Sequence, residues 1–543
     1  MINFTEEQKE AIKPQGSLVI TACPGSGKTA VIAEKIRNEL KALKLYQGVT
    51  AITFTRKASK ELEERCRSSD SDTKSSFFGT IDSFCLSEIL YPFLNQVLGG
   101  STENLEPKYN SDLSELEKPI AATLNEIDQV DDNSLKNIKT LYEKGTIFFP
   151  TIPALALYVH ENCAACRSYL KAKYTSIYID EYQDSSKAQH MLFLSIVDSG
   201  ITGVAVGDLQ QSIYGWRRCS PEFLKELMRR PGFTHRTVSY NHRCHPSIAN
   251  YANRLFNQNF SLTETDSIKV WQSKFTGTQR DAAVSLNRLI PAMLEKYKSY
   301  KPSDVAILVR NNRTLGYLRD HLSLPCRIFS DNAIDELQSK TGIFWSALLK
   351  YRHDPSITPD QVLDTLPDHA NLSKAKLIDA RKTIKKIRSI EPALLESYLP
   401  AASKKLLSIE PKDGELAALK IVAYDFDALK QYTAISDDEI QCMTLHKSKG
   451  LEFEIVIHLD LSEWIMPYQE SGENYGDKVY PSWEQDLNLH FVGITRAKSI
   501  CLLVHTTQRL NKYDEIKNGA PSAFLGLPGL QGLFNTFSYP QFK

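Results

Sequence analysis

Short apolar runs closed by turn residues recur along the chain: SLVITA (17–22), VTAITFT (49–55), SIYIDE (176–181), GVAVGD (203–208), VAILVR (305–310), EIVIHLDL (454–461) and SICLLVH (499–505). None alternates strictly between apolar and polar positions. Most lead into a helical pattern, as AVIAEKIRNELKAL (30–43) follows the first. A strand that is apolar on both sides must be covered on both faces, which is the condition of a parallel sheet with helices packed against it. The predicted fold class is therefore α/β, and the strands are too widely spaced to belong to one continuous domain. Two stretches lack the strand signal. Residues 91–170 are polar and helical in pattern, with STENLEPKYNSDLSELEK (101–118) reading as loop. Residues 331–435 are again helix-like and include the basic run KAKLIDARKTIKKIRSI (374–390), which reads more readily as the solvated face of a surface helix than as a phosphate contact. No repeat of fixed period is present.

At roughly 150 residues per domain, a chain of this length corresponds to about three to four folded units. Its composition, 42% hydrophobic and 24% charged, excludes a wholly disordered or fibrous protein. The 65 basic and 65 acidic residues give no net charge, which excludes a protein that coats nucleic acid by bulk charge. A local basic track, offset by acidic residues elsewhere, remains open. No apolar run approaches the ~20 residues of a membrane span. The start, MINFTEEQKE, lacks a basic segment followed by an apolar one, so a cytoplasmic enzyme with reduced thiols is expected. Ten cysteines are scattered, with one close pair, Cys163 and Cys166, three residues beyond His160. A zinc site commonly needs two such pairs, and buried thiols are the better reading.

The segment ACPGSGKT lies between a predicted strand and a predicted helix, the context in which a phosphate loop has meaning. Ala22, Cys23, Pro24, Gly25, Ser26, Gly27, Lys28 and Thr29 would wrap backbone N–H groups around phosphate oxygens. Lys28 would reach the β and γ phosphates and Thr29 would ligate Mg²⁺. A second strand, SIYIDEYQDSS (176–186), ends in adjacent carboxylates. Asp180 would hold Mg²⁺ and Glu181 would orient and deprotonate the attacking water. A lone acidic pair is more often a solvated loop; downstream of a phosphate loop it points to an ATP-hydrolysing enzyme.

With DEYQD in place, the sequence resembles the UvrD/Rep branch of superfamily 1 DNA helicases. The likeness extends through FTEEQKEAI (4–12), AITFTRKASKELEER (51–65), FFGTIDSFC (77–85), GDLQQSIYGWRRC (207–219), YNHRC (240–244), TLHKSKGLEF (444–453) and FVGITRAK (491–498). It implies two RecA-like P-loop domains with two mainly helical inserts: core 1A at 1–90 and 171–234, insert 1B at 91–170, core 2A at 235–330 and 436–515, a shortened insert 2B at 331–435, and a tail at 516–543. It also implies site roles. Gln8 would read the adenine edge, His242 would pack on the adenine and Glu452 would contact the ribose. Gln211 would sense the γ-phosphate, which Arg243 and Arg496 would approach from the second core domain, so that hydrolysis follows closure of the two cores. Phe54, Tyr214 and Trp216 would stack or prop bases of single-stranded DNA. Thr80 and His446 would meet the DNA backbone, although His446 serves equally as an internal hydrogen-bonding residue. Four positions depart from the family pattern: His242 stands where Tyr is usual, Asp82 where His is frequent, and Leu487 and Asn488 replace a pair of arginines.

The resemblance implies an ATP- and Mg²⁺-dependent motor that translocates 3′ to 5′ on single-stranded DNA and opens 3′-tailed duplexes. A second reading keeps the ATPase but makes it a sensor. The short insert and the early end resemble UvrD-like subunits of bacterial anti-phage systems such as Gabija, where the helicase-like chain works with an OLD-type nuclease. A small-molecule P-loop enzyme leaves the DNA-contacting motifs unexplained.

Overall fold

The computed structural model describes residues 3–67, 72–100, 105–215, 218–337, 339–366, 373–471 and 477–539. The chain divides into two compact units. One comprises Met1–Pro107, Leu113–Ala249 and Glu484–Thr495; the other comprises Lys108–Asp112, Asn250–Trp483 and Arg496–Lys543.

The first unit is built on six parallel strands, β1 (Leu18–Ala22), β2 (Gly48–Ile52), β3 (Phe77–Gly79), β4 (Tyr174–Ile179), β5 (Thr202–Gly207) and β6 (Thr234–Val238), in the order β3-β2-β4-β5-β1-β6. Successive side chains of a strand point to opposite faces, and both faces carry a core here. Leu18, Ile20, Val49, Tyr178 and Val204 pack with Val31 and Ile36 of the helix Lys28–Leu40. Val19, Ile52, Ile177, Ile179 and Ala205 face the other way, into a core continuous with Leu155, Val159 and Leu170 of the segment expected as insert 1B. That segment carries the helices Asp132–Tyr142, Ile152–Asn162 and Ala164–Lys173 and also two short strands, Glu106–Lys108 and Thr146–Phe148.

The strand β6 moves a boundary. It hydrogen-bonds in parallel to β1, from Leu18↔Thr234 to Ala22↔Val238. Residues 235–249 therefore sit with the first unit, where the sequence reading opened the second core.

The second unit holds seven parallel strands: β7 (Val270–Phe275), β8 (Val305–Val309), β9 (Cys326–Phe329), β10 (Ile440–Thr444), β11 (Phe453–His458), β12 (Ala497–Thr506) and β13 (Asn535–Tyr539), in the order β9-β10-β8-β11-β12-β7-β13. The last strand corrects the bare tail expected at 516–543, because it pairs with β7 from Asn535↔Trp271 to Tyr539↔Phe275. Residues 331–435 form helices with a core of their own around Trp345, Phe344, Leu348, Leu399 and Val422. The Trp345 indole N–H, which needs a partner when buried, donates to the Leu399 carbonyl at 3.0 Å and to Ser403 Oγ at 2.8 Å.

The cysteine pair does not converge with its histidine. Cys163 Sγ donates to Gln96 Oε1 at 3.3 Å and His160 Nδ1 meets Ser195 Oγ at 2.8 Å, while burial pushes the Cys166 thiol up to about 12. Among the described residues no three His, Cys, Asp or Glu side chains gather as a structural zinc site would require, and no helix is long and apolar enough to cross a membrane.

Candidate functional site

The strand β1 ends at Ala22, and the chain turns through Cys23–Gly27 into the helix Lys28–Leu40. Gly25 and Gly27 both take left-handed backbone angles, φ +70° and +79°. A Cβ at Gly25 would lie 2.5 Å from Arg243 Cβ and 2.7 Å from Asn241 Oδ1; one at Gly27 would lie 2.9 Å from Gln8 Nε2. Conformation and close approach therefore both demand glycine. Gln8 is held at both ends. Its Oε1 accepts from the Thr5 N–H at 2.8 Å, closing a capping box, and its Nε2 donates to the Ser26 carbonyl at 2.9 Å. The Ser26 hydroxyl is buried with no hydrogen-bond partner among the described residues. An unpaired buried hydroxyl, a left-handed loop and the N–H groups opening a helix form a cradle for an anion such as phosphate. The Cys23 thiol is no nucleophile there: burial, reinforced by Asp208, pushes it up to about 12.

A row of carboxylates faces this cradle. At the end of β4 the Asp180 N–H donates to the Ile52 carbonyl at 2.9 Å, and Asp180 Oδ1 accepts from the Glu181 N–H at 2.9 Å. Glu181 adopts φ 55°, ψ 40°, a left-handed state that costs a residue with a Cβ roughly 1–2 kcal/mol. Its Oε1 lies 3.3 Å from Lys28 Nζ. Burial alone would depress the Lys28 ammonium, but Glu181, Asp208 and Asp180 outweigh it and hold the pKa above the ordinary lysine value. The lysine is therefore a fixed cation. Thr29, one residue on, and Asp180 supply the hard oxygen donors that Mg²⁺ prefers, so the residues present fit that ion.

The sequence reading assigned no role to Gln183 or Asp208, although both lie within the motifs it quoted. Gln183, fully buried, donates from Nε2 to Glu181 Oε2 at 2.5 Å and accepts the Asp208 N–H on Oε1 at 2.9 Å. Asp208 Oδ2 in turn accepts from Gln211 Nε2 at 2.6 Å. Burial raises the Asp208 carboxyl above its ordinary range, against the pull of Lys28. Gln211, the expected γ-phosphate sensor, is thus linked to Glu181 through the Gln183 side chain and through the backbone N–H and carboxylate of Asp208. Asn241 was also overlooked. Its Oδ1 accepts the N–H groups of Arg243 and Cys244, at 2.8 and 2.9 Å, and it fixes the turn that presses on Gly25.

Arg243 belongs to the first unit, whereas the sequence reading expected it to act from the second core. Its Cβ abuts Gly25 and its Nη1 lies 3.5 Å from the Thr495 carbonyl. His242 donates its backbone N–H to the Gly25 carbonyl at 3.0 Å, and its ring meets Tyr240 edge-on. Arg496 and Glu452 lie in the second unit. Arg496 is fully buried and hydrogen-bonds the Leu451 carbonyl at 3.1 Å, while Glu452 pairs with Lys498 at 3.0 Å. His446 occupies the turn after β10, where its carbonyl accepts the Lys449 N–H at 3.3 Å.

Among the residues expected at DNA, Phe54 and Tyr214 stack on each other, with centroids 5.6 Å apart and planes 7° from parallel, and Phe54 keeps 46% of its surface exposed. The Tyr214 loop is braced from the helix Trp483–Ile494. Asn488 Nδ2 donates to the Ser212 carbonyl at 3.0 Å and Gln485 Nε2 to that of Ile213 at 3.3 Å. The departure at Asn488 thereby gains a structural use. Thr80 Oγ1 accepts the Ser83 N–H at 3.3 Å and caps the short helix Ile81–Phe84. Trp216 lies outside the described residues.

A cavity of about 380 Å³ is lined by Phe54, Thr80 and Asp82 together with Asp180, Glu181 and Asp184. Burial pushes the Asp82 carboxyl up to about 6. The folded chain therefore favours the protonated form, a stabilisation present at low pH and lost as pH rises from ~4 through ~6. The neutral isostere Asp82→Asn is expected to raise the melting temperature at about pH 7.5, with the gain shrinking below ~6 and vanishing as pH falls to ~4. Thermal melts of both proteins across that range check this; a gain independent of pH would remove Asp82 as its source.

Comparison with known proteins gives concordant matches. Residues 4–146 and 102–231 match the UvrD/REP helicase N-terminal domain, and residues 379–508 match the UvrD-like helicase C-terminal domain. The chain is similar to the Gabija protein GajB of Bacillus cereus (strain VD045), with 26% identity covering 94% of this chain and 97% of that one. It is also similar to the ATP-dependent DNA helicase PcrA of Staphylococcus aureus (strain MRSA252), with 24% identity covering 96% and 86%. The Staphylococcus epidermidis PcrA matches at 23% over the same shares.

Proposed function

The chain belongs to the UvrD/REP helicases, ATP-hydrolysing enzymes that act on DNA, and from that membership we propose a motor that translocates 3′ to 5′ on single-stranded DNA. Lys28 and the N–H groups of residues 25–29 bind the phosphates, and Gln8 holds the loop by the Ser26 carbonyl while reading the adenine. Thr29 and Asp180 would hold Mg²⁺, which when bound neutralises charge on the phosphates. Glu181 orients and deprotonates the attacking water, and Gln211 registers the γ-phosphate through Asp208 and Gln183. Arg243 stabilises charge on the transferring phosphoryl. Arg496 would act on the same phosphate, Glu452 on the ribose, and His446 and Thr80 on the DNA backbone.

One observation carries the coupling of DNA to hydrolysis. The exposed Phe54, stacked on Tyr214, lines the same cavity as Asp180 and Glu181, so a base that displaces Phe54 moves the wall of the hydrolytic site. Base stacking on an aromatic ring is worth ~1–3 kcal/mol. Phe54→Ala is accordingly expected to weaken single-stranded DNA binding by roughly 5- to 150-fold without changing ATP affinity in the absence of DNA. Fluorescence anisotropy with an oligonucleotide measures the first effect and nucleotide titration the second. Directionality is tested with duplexes tailed at one end. ATP-dependent opening of 3′-tailed substrates alone is expected, and preferential opening of 5′-tailed ones would reverse the assignment.

A second reading makes the chain a DNA-sensing ATPase that licenses a partner nuclease in anti-phage defence. The length-matched relation to the Gabija protein favours it. Strong DNA-stimulated ATPase without unwinding, with co-purification of a nuclease from the native host, would select it over the motor.

A further inference from the structure

Arg218 lies just beyond Tyr214 in the segment GDLQQSIYGWRRC. Its backbone is left-handed, with φ +62°, a state that glycine takes freely and that crowds any residue with a Cβ. Such outliers persist only where their surroundings hold them, and they gather at functional sites. The contacts that hold this one are specific. Arg218 Nη1 donates to the Glu126 carbonyl at 2.6 Å and Nη2 donates to Asp128 Oδ2 at 3.1 Å, across 92 and 90 positions of sequence. The planar guanidinium thus grips a carbonyl and a carboxylate of one loop at once.

Both ends of this strut are anchored within the first unit. Its foot stands in the segment expected as insert 1B. There Leu124 is buried, Ile127 and Val130 pack against the core, and Asp131 caps the helix Asp132–Tyr142 by accepting the Ser134 N–H at 2.8 Å. At its head the Arg218 N–H donates to the Gly215 carbonyl at 3.0 Å, closing a turn on the residue that follows Tyr214. Cys219 bridges to Ser186, and the Ser220 N–H donates to the Ser185 carbonyl at 3.4 Å. Asn488 and Gln485 hold the loop ahead of Tyr214, at Ser212 and Ile213, and Arg218 holds it behind. A half-exposed ion pair adds little to overall stability, and the left-handed backbone opposes even that. What the pair supplies is position.

We propose that Arg218 is a positioning residue for single-stranded DNA: clamped to Glu126 and Asp128, it sets the Gly215 turn and with it the Tyr214 ring, so that the insert governs how tightly a base is taken up. This rests on the reading that Phe54 and Tyr214 receive DNA bases, and adds to it a contact that reaches neither DNA nor ATP.

Fluorescence anisotropy of the full chain with a single-stranded oligonucleotide, with thermal melts alongside, provides the test. Arg218→Gly relieves the backbone and removes the strut. It should hold or raise the melting temperature while raising the dissociation constant for DNA roughly two- to tenfold. Asp128→Asn supplies the sign. An arginine that touched phosphate itself would bind DNA more tightly once freed from a carboxylate, whereas a strut loosened at its foot should weaken DNA binding by part of the Arg218→Gly effect. The double variant should bind no more weakly than Arg218→Gly alone, because both changes cut one link. Wild-type DNA affinity in Arg218→Gly, tighter binding by Asp128→Asn, or losses that add in the double variant each overturn the proposal, as does a loss of affinity that follows a lowered melting temperature. Phe54→Ala separates the two levels. If it leaves DNA affinity unchanged, the base-stacking reading fails and the strut with it; if it weakens DNA binding while Arg218→Gly does not, the strut alone fails.

Discussion

Glu181→Gln is expected to cut ATP turnover by roughly 10²–10⁴-fold while leaving nucleotide binding within a few-fold of the wild type. The substitution is nearly isosteric. The amide oxygen can still accept from Gln183 Nε2, and Lys28 keeps Asp180 and Asp208 beside it, so the cradle and the lysine charge persist. Only the base is lost. Steady-state ATPase with parallel nucleotide titration separates the two quantities. A variant that retained a third or more of wild-type turnover would remove Glu181 from the water-activating role. Asp208→Asn supplies a graded companion. It leaves the backbone N–H donated to Gln183 but weakens the contact with Gln211, so turnover should fall less than in Glu181→Gln.

Arg243→Ala is expected to lower turnover by on the order of 10³-fold, the lower end of what an arginine finger contributes to phosphoryl transfer. The geometry makes this a clean test. Gly25 meets the Arg243 Cβ, which alanine retains, and Asn241 binds the backbone N–H of residue 243, so the turn against the phosphate loop survives without the guanidinium. Arg243→Lys should recover little, because an ammonium restores the charge without the planar fork. The same contact seen from the other side gives the opposite signature. Gly25→Ala places a methyl 2.5 Å from Arg243 Cβ at a φ of +70°, so nucleotide affinity itself should collapse. An Arg243→Ala enzyme that lost ATP binding and kept its kcat would show that the arginine only props the loop.

What was legible in the sequence follows from burial. All seven apolar runs fall on interior strands of the two sheets, where both faces are covered and the pattern is continuous. The four edge strands of these sheets, Phe77–Gly79, Thr234–Val238, Cys326–Phe329 and Asn535–Tyr539, gave no such signal, and neither did two interior strands, Val270–Phe275 and Ile440–Thr444, whose VWQSKF and IQCMT are interrupted by polar residues. An edge strand has one neighbour and tolerates short or polar sequence, as THRTV at 234–238 illustrates. Missing β6 alone misplaced the start of the second core and with it Arg243. The phosphate loop and the DEYQD carboxylates were legible because their chemistry needs a fixed spacing within one segment. The relay from Glu181 through Gln183 and Asp208 to Gln211 was not, because it closes between two strand ends, with Gln183 and Asp208 25 positions apart in the sequence. Asn241 was hidden for a similar reason, since its work lies in a turn packed on a loop distant in sequence.

In the proposed motor, DNA and ATP hydrolysis are coupled through the wall shared by Phe54 and Glu181. The most direct test of this coupling is the ATP turnover of the full chain at saturating ATP with and without single-stranded DNA. The account predicts a many-fold rise on adding DNA, much reduced in Phe54→Ala at the same DNA concentration. An ATPase equally fast in the presence and absence of DNA would contradict it.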